Sequence, residues 1–237
     1  VKAADGYTYY LAEALADNVL GSLADKDSDT PAYEVLETYK GSDLERKEYE
    51  PLYACAKECA DKQHKKGFFV TCDTYVTMSD GTGIVHIAPT FGADDDRVAK
   101  ANGIPPLMML DKDGNRRPMV DMTGKFYLIE DLEPDFVKQN IDVAAYGEYA
   151  GRYVKNAYDA ALTADEATLD IDICVLLKQT NKVFKIEKHV HSYPHCWRTD
   201  KPVLYYPLDS WFIRTTACRD RMIELNNTIN WKPQSTG

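Results

Sequence analysis

Long apolar runs are missing from this sequence of 237 residues. A membrane-spanning helix needs about 20 consecutive apolar residues, but the longest apolar stretch, at positions 171–177, is short and contains Asp172. The first residues, VKAADGYTYY, also lack the basic start and apolar core of a secretion signal. We therefore expect a cytoplasmic protein with no membrane partner. Because the sequence begins without an initiator Met, we also expect a piece of a longer protein.

An excess of positive charge is missing as well. Lys and Arg number 28 against 38 Asp and Glu, which gives a formal net charge of −10. Proteins that hold an extended nucleic-acid backbone need a basic face, so that class is disfavoured, whereas a pocket for a single nucleotide end is not. The six cysteines are too sparse for a small disulfide scaffold, and reduced thiols are expected.

The pattern of apolar residues predicts an α+β fold, with short strands in a barrel-like mixed sheet and helices at its periphery. A hydrophobic content of 44% and a charged content of 28% are typical of a globular protein. Strands are predicted at 32–39, 68–78, 84–87, 171–177 and 183–190, helices at 11–20, 93–102, 133–149 and 211–225, and a hairpin loop at 111–115. The helix at 93–102 is expected to end at Gly103.

The stretch GTGIVHIAPTFGADDDRVAK, at positions 81–100, has the glycines of a phosphate loop without its chemistry. A phosphate loop places Lys and Ser or Thr directly after its last glycine, whereas Gly83 is followed by the apolar residues of a predicted strand. The third glycine of a dinucleotide-binding fingerprint is also missing. The residues instead predict a hairpin turn at Gly81, a strand that presents His86, a turn at Pro89 and a helix after it.

Three consecutive aspartates, Asp94, Asp95 and Asp96, open this predicted helix. The first turn of a helix stabilises carboxylates through its free N–H groups and its dipole, but three exceed what capping requires. A metal site needs three or four converging ligands, and only one histidine is near. A carboxylate that is not tied to a metal or an arginine suits an ammonium group, and His86 is placed to face the same cleft.

Four motifs in order resemble one protein family. They are the stretch at 81–100, HSYPHCWR at 191–198, DSWF at 209–212 and INWKP at 229–233. Together they resemble the editing domain of class I aminoacyl-tRNA synthetases of the Ile/Val/Leu group and the segment that follows it. The similarity is to the isoleucyl-tRNA synthetase family, of the type shared by eukaryotic cytosolic enzymes and some bacteria.

The resemblance implies what the chain does. Enzymes of this family activate isoleucine with ATP and Mg²⁺ and attach it to tRNA(Ile), and their inserted editing domain hydrolyses misattached valine by attack of water on the aminoacyl ester. Residues 1–190 would be that editing domain, and residues 191–237 the segment that returns to the catalytic core. The implied partners are the 3′ end of tRNA(Ile) and the rest of the synthetase. No cofactor is expected in the domain itself, and the chain is expected to be monomeric.

The resemblance also assigns roles to single residues. The family's counterpart of Asp95 binds the α-ammonium group of the substrate, and that of His86 lies beside the terminal ribose and the ester. Thr82 and Gly83, in the turn before His86, are further candidates for substrate binding. The absence of a convincing Ser, His and Asp or Cys and His constellation agrees with a positioned water as the nucleophile.

Three departures from the family pattern qualify this reading. The threonine-rich strand that lines the family's editing pocket is not found from Val1 onwards, so we expect an impaired hydrolase. The HIGH and KMSKS signatures of ATP binding are absent, so synthesis of aminoacyl-tRNA by these residues is not expected. Some relatives bind zinc through a CxxC after HSYPH, but here Cys196 is followed three residues later by Thr199, and zinc is not expected.

Two alternative functions stay open at this point. One is a module that binds the aminoacyl end of tRNA without hydrolysing it, because the pocket is incomplete. The other is the editing domain of a valyl-tRNA synthetase, which removes threonine, although the motifs at 191–198 and 229–233 favour the isoleucine enzyme. Outside these motifs, Cys55 and Cys59, with His64 nearby, are interpreted as unpaired thiols in an exposed stretch.

Overall fold

The structure is a computed structural model that describes residues 1–24, 31–52, 67–163, 166–188 and 190–236. The chain divides into two compact units, Val1–Tyr206 and Pro207–Gly237. The family resemblance implies a boundary after residue 190, between the editing domain and the returning segment. The boundary between the two compact units does not test it, so it stays a prediction. None of the helices among the described residues combines the length and apolarity that crossing a bilayer demands.

Two small antiparallel sheets carry the β-structure of the described residues. In the first, β1 (Lys2–Ala3) pairs with β2 (Tyr33–Glu34), with Ala3 opposite Tyr33. In the second, β3 (Met109–Leu110) pairs with β4 (Arg116–Arg117). Because helices accompany these sheets, the α+β class is confirmed. The described residues form no closed barrel, so the barrel-like arrangement is not confirmed.

Several predicted strands lack a continuous partner. The segment 32–39 forms only β2, and the segment 68–78 forms a single bridge, between Phe69 and Glu48. Residues 84–87 and the described part of 183–190 form no strand. Apolar alternation favours extended backbone, but a strand also needs a neighbour to take up its backbone hydrogen bonds. The described residues supply no such neighbour, and Ile84 and Val85 remain about half exposed.

Short helical segments make up most of the remaining regular structure of the first unit. The predicted helix at 11–20 is present as α1 (Ala16–Leu20), with 3-10 turns before it (Glu13–Leu15) and after it (Gly21–Leu23). Leu15, Ala16 and Leu20 bury its apolar side. Further 3-10 turns in this unit span Gly41–Leu44, Ile129–Asp131 and Asn156–Tyr158.

The helix that carries the three aspartates has the predicted bounds. It is α2 (Ala93–Asn102), and it ends at Gly103 with φ +70°. There the Ile104 N–H donates to the Ala99 carbonyl at 2.9 Å. This left-handed end favours glycine, because a Cβ strains that conformation.

The predicted loop at 111–115 closes the hairpin of β3 and β4. Asp111 organises it, because its carboxylate accepts the Asp113 N–H at 3.0 Å and the Asn115 N–H at 2.7 Å. The same carboxylate pairs with Arg117 at 2.9 Å. The hairpin prediction is therefore confirmed, and the Asp111 side chain binds two backbone amides of the turn as well as Arg117.

The predicted helix at 133–149 is two helices, α3 (Pro134–Asn140) and α4 (Val143–Gly147). Asp142 causes the break, because its carboxylate accepts the N–H groups of Ala144 and Ala145, both at 3.1 Å, and so caps a new helix. The prediction of one continuous helix overlooked this capping residue.

The predicted strand at 171–177 is wrong, since these residues belong to α5 (Leu169–Gln179). Alternation of Ile171, Asp172 and Ile173 resembles a strand, but Leu169, Ile173, Leu176 and Leu177 repeat with helical spacing. These four are the better shielded apolar residues, while Ile171 and Val175 are about half exposed. The helical period thus decides which face is covered.

The unit Pro207–Gly237 contains a 3-10 turn (Thr215–Cys218), α6 (Arg219–Asn226) and a final 3-10 turn (Gln234–Thr236). The predicted helix at 211–225 therefore begins later than expected. Trp211, Phe212 and Ile213 are not helical, and at least 88% of each is exposed. Every described residue of this unit is exposed, so the hydrophobic effect contributes little to its conformation.

A buried apolar cluster lies where the hairpin of β3 and β4 meets α3 and α4. Met109, Leu132, Ile141 and Tyr146 form its centre, and each is at most 9% exposed. The Tyr146 hydroxyl donates to the Tyr127 carbonyl at 2.8 Å, so the one polar group of the cluster is satisfied. Burial of these side chains is the main local source of stability.

We expect Leu132→Ala to lower the free energy of unfolding by about 2–5 kcal/mol, because Leu132 is 1% exposed and its loss leaves a cavity. Urea unfolding followed by far-UV circular dichroism measures the change. Leu36→Ala is the matched control, since half of Leu36 is exposed, and a change within about 0.5 kcal/mol is expected there. Equal losses in the two variants would contradict this assignment of the core.

Candidate active site

Asp95 is the aspartate that turns toward the preceding loop. Its Oδ2 atom accepts the N–H of Ala88 at 2.9 Å, and the residue is half-buried. The carboxylate thereby bridges the start of α2 and the segment that carries His86. No arginine, lysine or histidine among the described residues forms an ion pair with it, so its negative charge is not neutralised by a described side chain.

The other two aspartates of the helix start behave differently. Asp94 lies 3.8 Å from the Arg97 guanidinium, and Asp96 pairs with Lys100 at 2.6 Å. Both pairs follow the helical spacing and lie at the surface, where such contacts contribute at most about 1 kcal/mol. Asp94 and Asp96 are therefore helix-start carboxylates, as the sequence indicated.

Arg97 ties α2 to the loop that contains Asp73. Its guanidinium donates to both carboxylate oxygens of Asp73, at 2.9 and 3.2 Å. This double hydrogen bond lowers the pKa of Asp73 and raises that of Arg97. The Asp73 carboxylate also accepts the Tyr75 N–H at 3.2 Å. Burial raises the pKa of Tyr75, and the negative charge of Asp95 raises it further, so this loop lies beside the site.

His86 is exposed and makes no hydrogen bond with any residue that the structure describes. His86 lies two residues before Ala88, whose amide donates to Asp95. The hydrogen bond therefore holds the backbone near His86 close to Asp95. The structure thus links the two predicted residues through Ala88 rather than by direct contact between their side chains. The His86 imidazole, which has no hydrogen-bond partner among the described residues, is available to a ligand in this arrangement.

Thr82 and Gly83 form a turn that packs on the start of the first helical segment. The Thr82 carbonyl accepts the Ala12 N–H at 2.8 Å, and the Thr82 hydroxyl contacts the Ile84 backbone at 3.2 Å. Gly83 has φ +75°, and a Cβ there would lie 2.5 Å from the Ala12 Cβ. These contacts give both residues a structural task, while their role in substrate binding stays a prediction.

Cys196 and Thr199 lie in the segment for which the sequence predicts no zinc site. A hydrogen bond with the Thr199 side chain is the main cause of the lowered pKa of Cys196. Among the residues described, no group of three or more His, Cys, Asp and Glu side chains is placed to hold a metal ion. That no zinc is bound near Cys196 stays a prediction. Cys55, Cys59 and His64 lie outside the described residues.

Curated relatives place the chain among the aminoacyl-tRNA synthetases. Isoleucine–tRNA ligase of Bacteroides fragilis is 61% identical over 205 residues, which cover 86% of this chain and 18% of the relative. The enzyme of the same name from Cytophaga hutchinsonii is 47% identical over 232 residues, or 96% of this chain and 20% of the relative. That of Clostridium novyi is 36% identical over 231 residues, or 98% and 17%. No family model matches the chain.

The chain belongs to the isoleucine–tRNA ligase family. It spans about a fifth of the length of the relatives that it matches. The family assignment made from the four sequence motifs is therefore confirmed.

Sequence reasoning missed three contributors to the geometry around Asp95. Ala88 binds the carboxylate through its backbone, which no side-chain pattern reveals. Asp73 lies 24 positions before Arg97, and nothing in the sequence pairs them. Only Gly92 carried a signal that could have been noticed, because glycine is among the residues favoured directly before the first residue of a helix.

Acid should weaken the contact between Asp73 and Arg97. The pKa of Asp73 is lowered below its ordinary value of 3.8, so the contact stabilises the fold at neutral pH. As the pH falls below that value, the unfolded chain takes up the proton first, and the stabilisation disappears as the pH passes through the lowered pKa. Urea unfolding should show that Asp73→Asn is less stable near pH ~7 and that the difference shrinks in acid.

Asp113→Asn serves as the control for this pH series. Asp113 is exposed and forms no ion pair with the described residues, so its replacement should change stability little at any pH. A difference between the unsubstituted chain and Asp73→Asn that stays constant from neutral to acid pH would contradict the contribution assigned to the ionised carboxylate.

Proposed function

We propose that this chain is the editing domain of an isoleucine–tRNA ligase and that it hydrolyses valine misattached to tRNA(Ile). An apolar pocket discriminates weakly between amino acids that differ by one methylene, so a second, hydrolytic site is needed, and isoleucyl-tRNA synthetases are the standard example of this rule. The longer enzyme would activate isoleucine with ATP and Mg²⁺. The partners would be the 3′ end of tRNA(Ile) and the remainder of the synthetase.

The observation that carries the proposal is the state of the Asp95 carboxylate. It is half-buried, it is not paired with a cation of the described residues, and it is bound to the backbone of the segment that presents His86. A carboxylate in this state attracts an ammonium group, and the α-ammonium of an aminoacyl ester is the cation that the family's substrate offers. Charge-assisted contacts of this kind are stronger than neutral hydrogen bonds.

The reaction needs little from the protein beyond positioning. Water attacks the carbonyl carbon of the aminoacyl ester, the bond from that carbon to the ribose oxygen breaks, and the ribose oxygen takes up a proton. The products are free valine and uncharged tRNA. Asp95 would hold the ammonium group, and His86 would lie beside the ribose and the ester. We propose that the chain performs this step without a bound cofactor or metal ion.

We expect Asp95→Asn to lower kcat/KM for deacylation of Val-tRNA(Ile) by roughly 30-fold to several thousand-fold, the equivalent of about 2–5 kcal/mol. The amide can still accept the Ala88 N–H, so the variant removes the charge while it preserves the shape. Asp95→Ala should abolish or greatly weaken the reaction. Asp94→Asn is the matched control and should retain activity, because Asp94 is exposed and its one ion pair among the described residues is with Arg97. Undiminished clearance of Val-tRNA(Ile) by Asp95→Asn and Asp95→Ala would rule out the anchor role.

A second assay separates this function from the two alternatives. Deacylation of Val-tRNA, Thr-tRNA and Ile-tRNA is measured together with binding of each. Preferential hydrolysis of Val-tRNA(Ile) supports the proposal, and preferential hydrolysis of Thr-tRNA points to a valyl-type editing site. Binding without turnover, by this chain and by an N-terminally extended one, would establish a binding module instead.

A further inference from the structure

Gly92 lies so close to the Asp95 side chain that a Cβ at position 92 would overlap it. Its backbone has φ −124° and ψ 134°, an extended conformation that any residue adopts, so the backbone does not require glycine. A Cβ at position 92, however, would lie 2.6 Å from Asp95 Oδ2 and 2.9 Å from Asp95 Cγ. Both distances are shorter than real Cβ contacts. The absence of a side chain at position 92 therefore leaves the space that the Asp95 carboxylate occupies.

The atoms that a Cβ would meet indicate what would move. All three nearest atoms belong to the Asp95 side chain, and the third is its Cβ, at 3.2 Å. A side chain rotates about its bonds more easily than the backbone shifts. An alanine at position 92 would thus displace the Asp95 carboxylate from the Ala88 amide while the rest of α2 stays in place.

We infer that Gly92 is a positioning residue for Asp95: it lets the carboxylate fold back over the turn 88–92, where it faces the segment of His86. This inference rests on the proposed function for its relevance to catalysis. Gly92 also contributes backbone contacts, since its carbonyl accepts the Asp96 N–H at 2.8 Å and its own N–H donates to the Ala88 carbonyl at 3.2 Å. Alanine can form both contacts, so they do not explain the glycine.

The Ala88 amide gives a direct spectroscopic test. Its proton is bonded to a carboxylate, and this bond is stronger when the carboxylate is ionised. In the unsubstituted chain, the NMR shift of the Ala88 amide proton should therefore change between neutral and acid pH, which gives an Ala88 titration curve. In Asp95→Asn this change should be absent. Gly92→Ala should also lose it, although Asp95 is still present.

Gly21→Ala is the matched control for the glycine replacement. Gly21 has φ −57°, and a Cβ there would meet nothing within 4 Å, so this variant should keep the Ala88 titration. Retention of the Ala88 titration in Gly92→Ala would overturn the inference, because the carboxylate would then still reach the amide.

A double-mutant cycle tests whether Gly92 acts through Asp95. Gly92→Ala alone should lower kcat/KM for Val-tRNA(Ile) by at least ~10-fold, whereas Gly92→Ala added to Asp95→Ala should cause little further loss. The urea midpoints should show the same coupling, since Asp95→Ala removes the two shortest contacts. Equal effects of Gly92→Ala in both backgrounds would overturn the inference.

The two readouts distinguish failure of this inference from failure of the proposed function. If the unsubstituted chain does not hydrolyse Val-tRNA(Ile) but Gly92→Ala still abolishes the Ala88 titration, the positioning role stands and the hydrolase proposal fails. If the unsubstituted chain is active and Gly92→Ala changes neither the titration nor kcat/KM, the positioning role fails. The test also holds if Gly92→Ala is unstable. In that case Asp95→Ala should restore part of the lost stability, and the urea midpoints of the single and double variants measure this.

Discussion

The hydrogen bond from the Ala88 amide to the Asp95 carboxylate is the interaction on which the candidate site depends. It joins residues that are seven positions apart and closes the turn between the His86 segment and α2. Because no described cation pairs with Asp95, this bond orients the carboxylate without neutralising it. An arginine in the place of the amide would have fixed the same side chain but cancelled the charge that a cationic ligand needs.

The three aspartates show how identical side chains acquire different tasks from their surroundings. Asp94 and Asp96 project where the helix presents Arg97 and Lys100, and these exposed pairs are too weak to organise the fold. Asp95 faces the turn instead, where its carboxylate meets a backbone donor and a position without a Cβ. Helical geometry separates successive side chains by about 100°, so only one of three consecutive residues reaches the turn.

Arg97 connects this local arrangement to the rest of its unit. Its double hydrogen bond to Asp73 holds the loop of Tyr75 against the helix that carries Asp95. A planar guanidinium matches both oxygens of a carboxylate, which a lysine does not. The start of α2 is therefore held by two contacts, that of Asp95 with the Ala88 amide and that of Arg97 with Asp73.

Local signals in the sequence determined those elements whose ends are marked by a capping or turn residue. The helix α2 ends at Gly103 and the hairpin turns at Asp111 because glycine and aspartate act on neighbouring residues, whatever the rest of the fold does. The family motifs likewise singled out Asp95 and His86 as candidate site residues, and their roles stay predictions. Tertiary structure alone decided that 171–177 is a helix. The alternation of apolar and polar residues at its start is compatible with a strand, and only the burial of residues at helical spacing excludes it. The tertiary structure also decided the partners of Asp95, because a backbone amide has no side-chain signature and the glycine at position 92 does not reveal which side chain fills the space beside it.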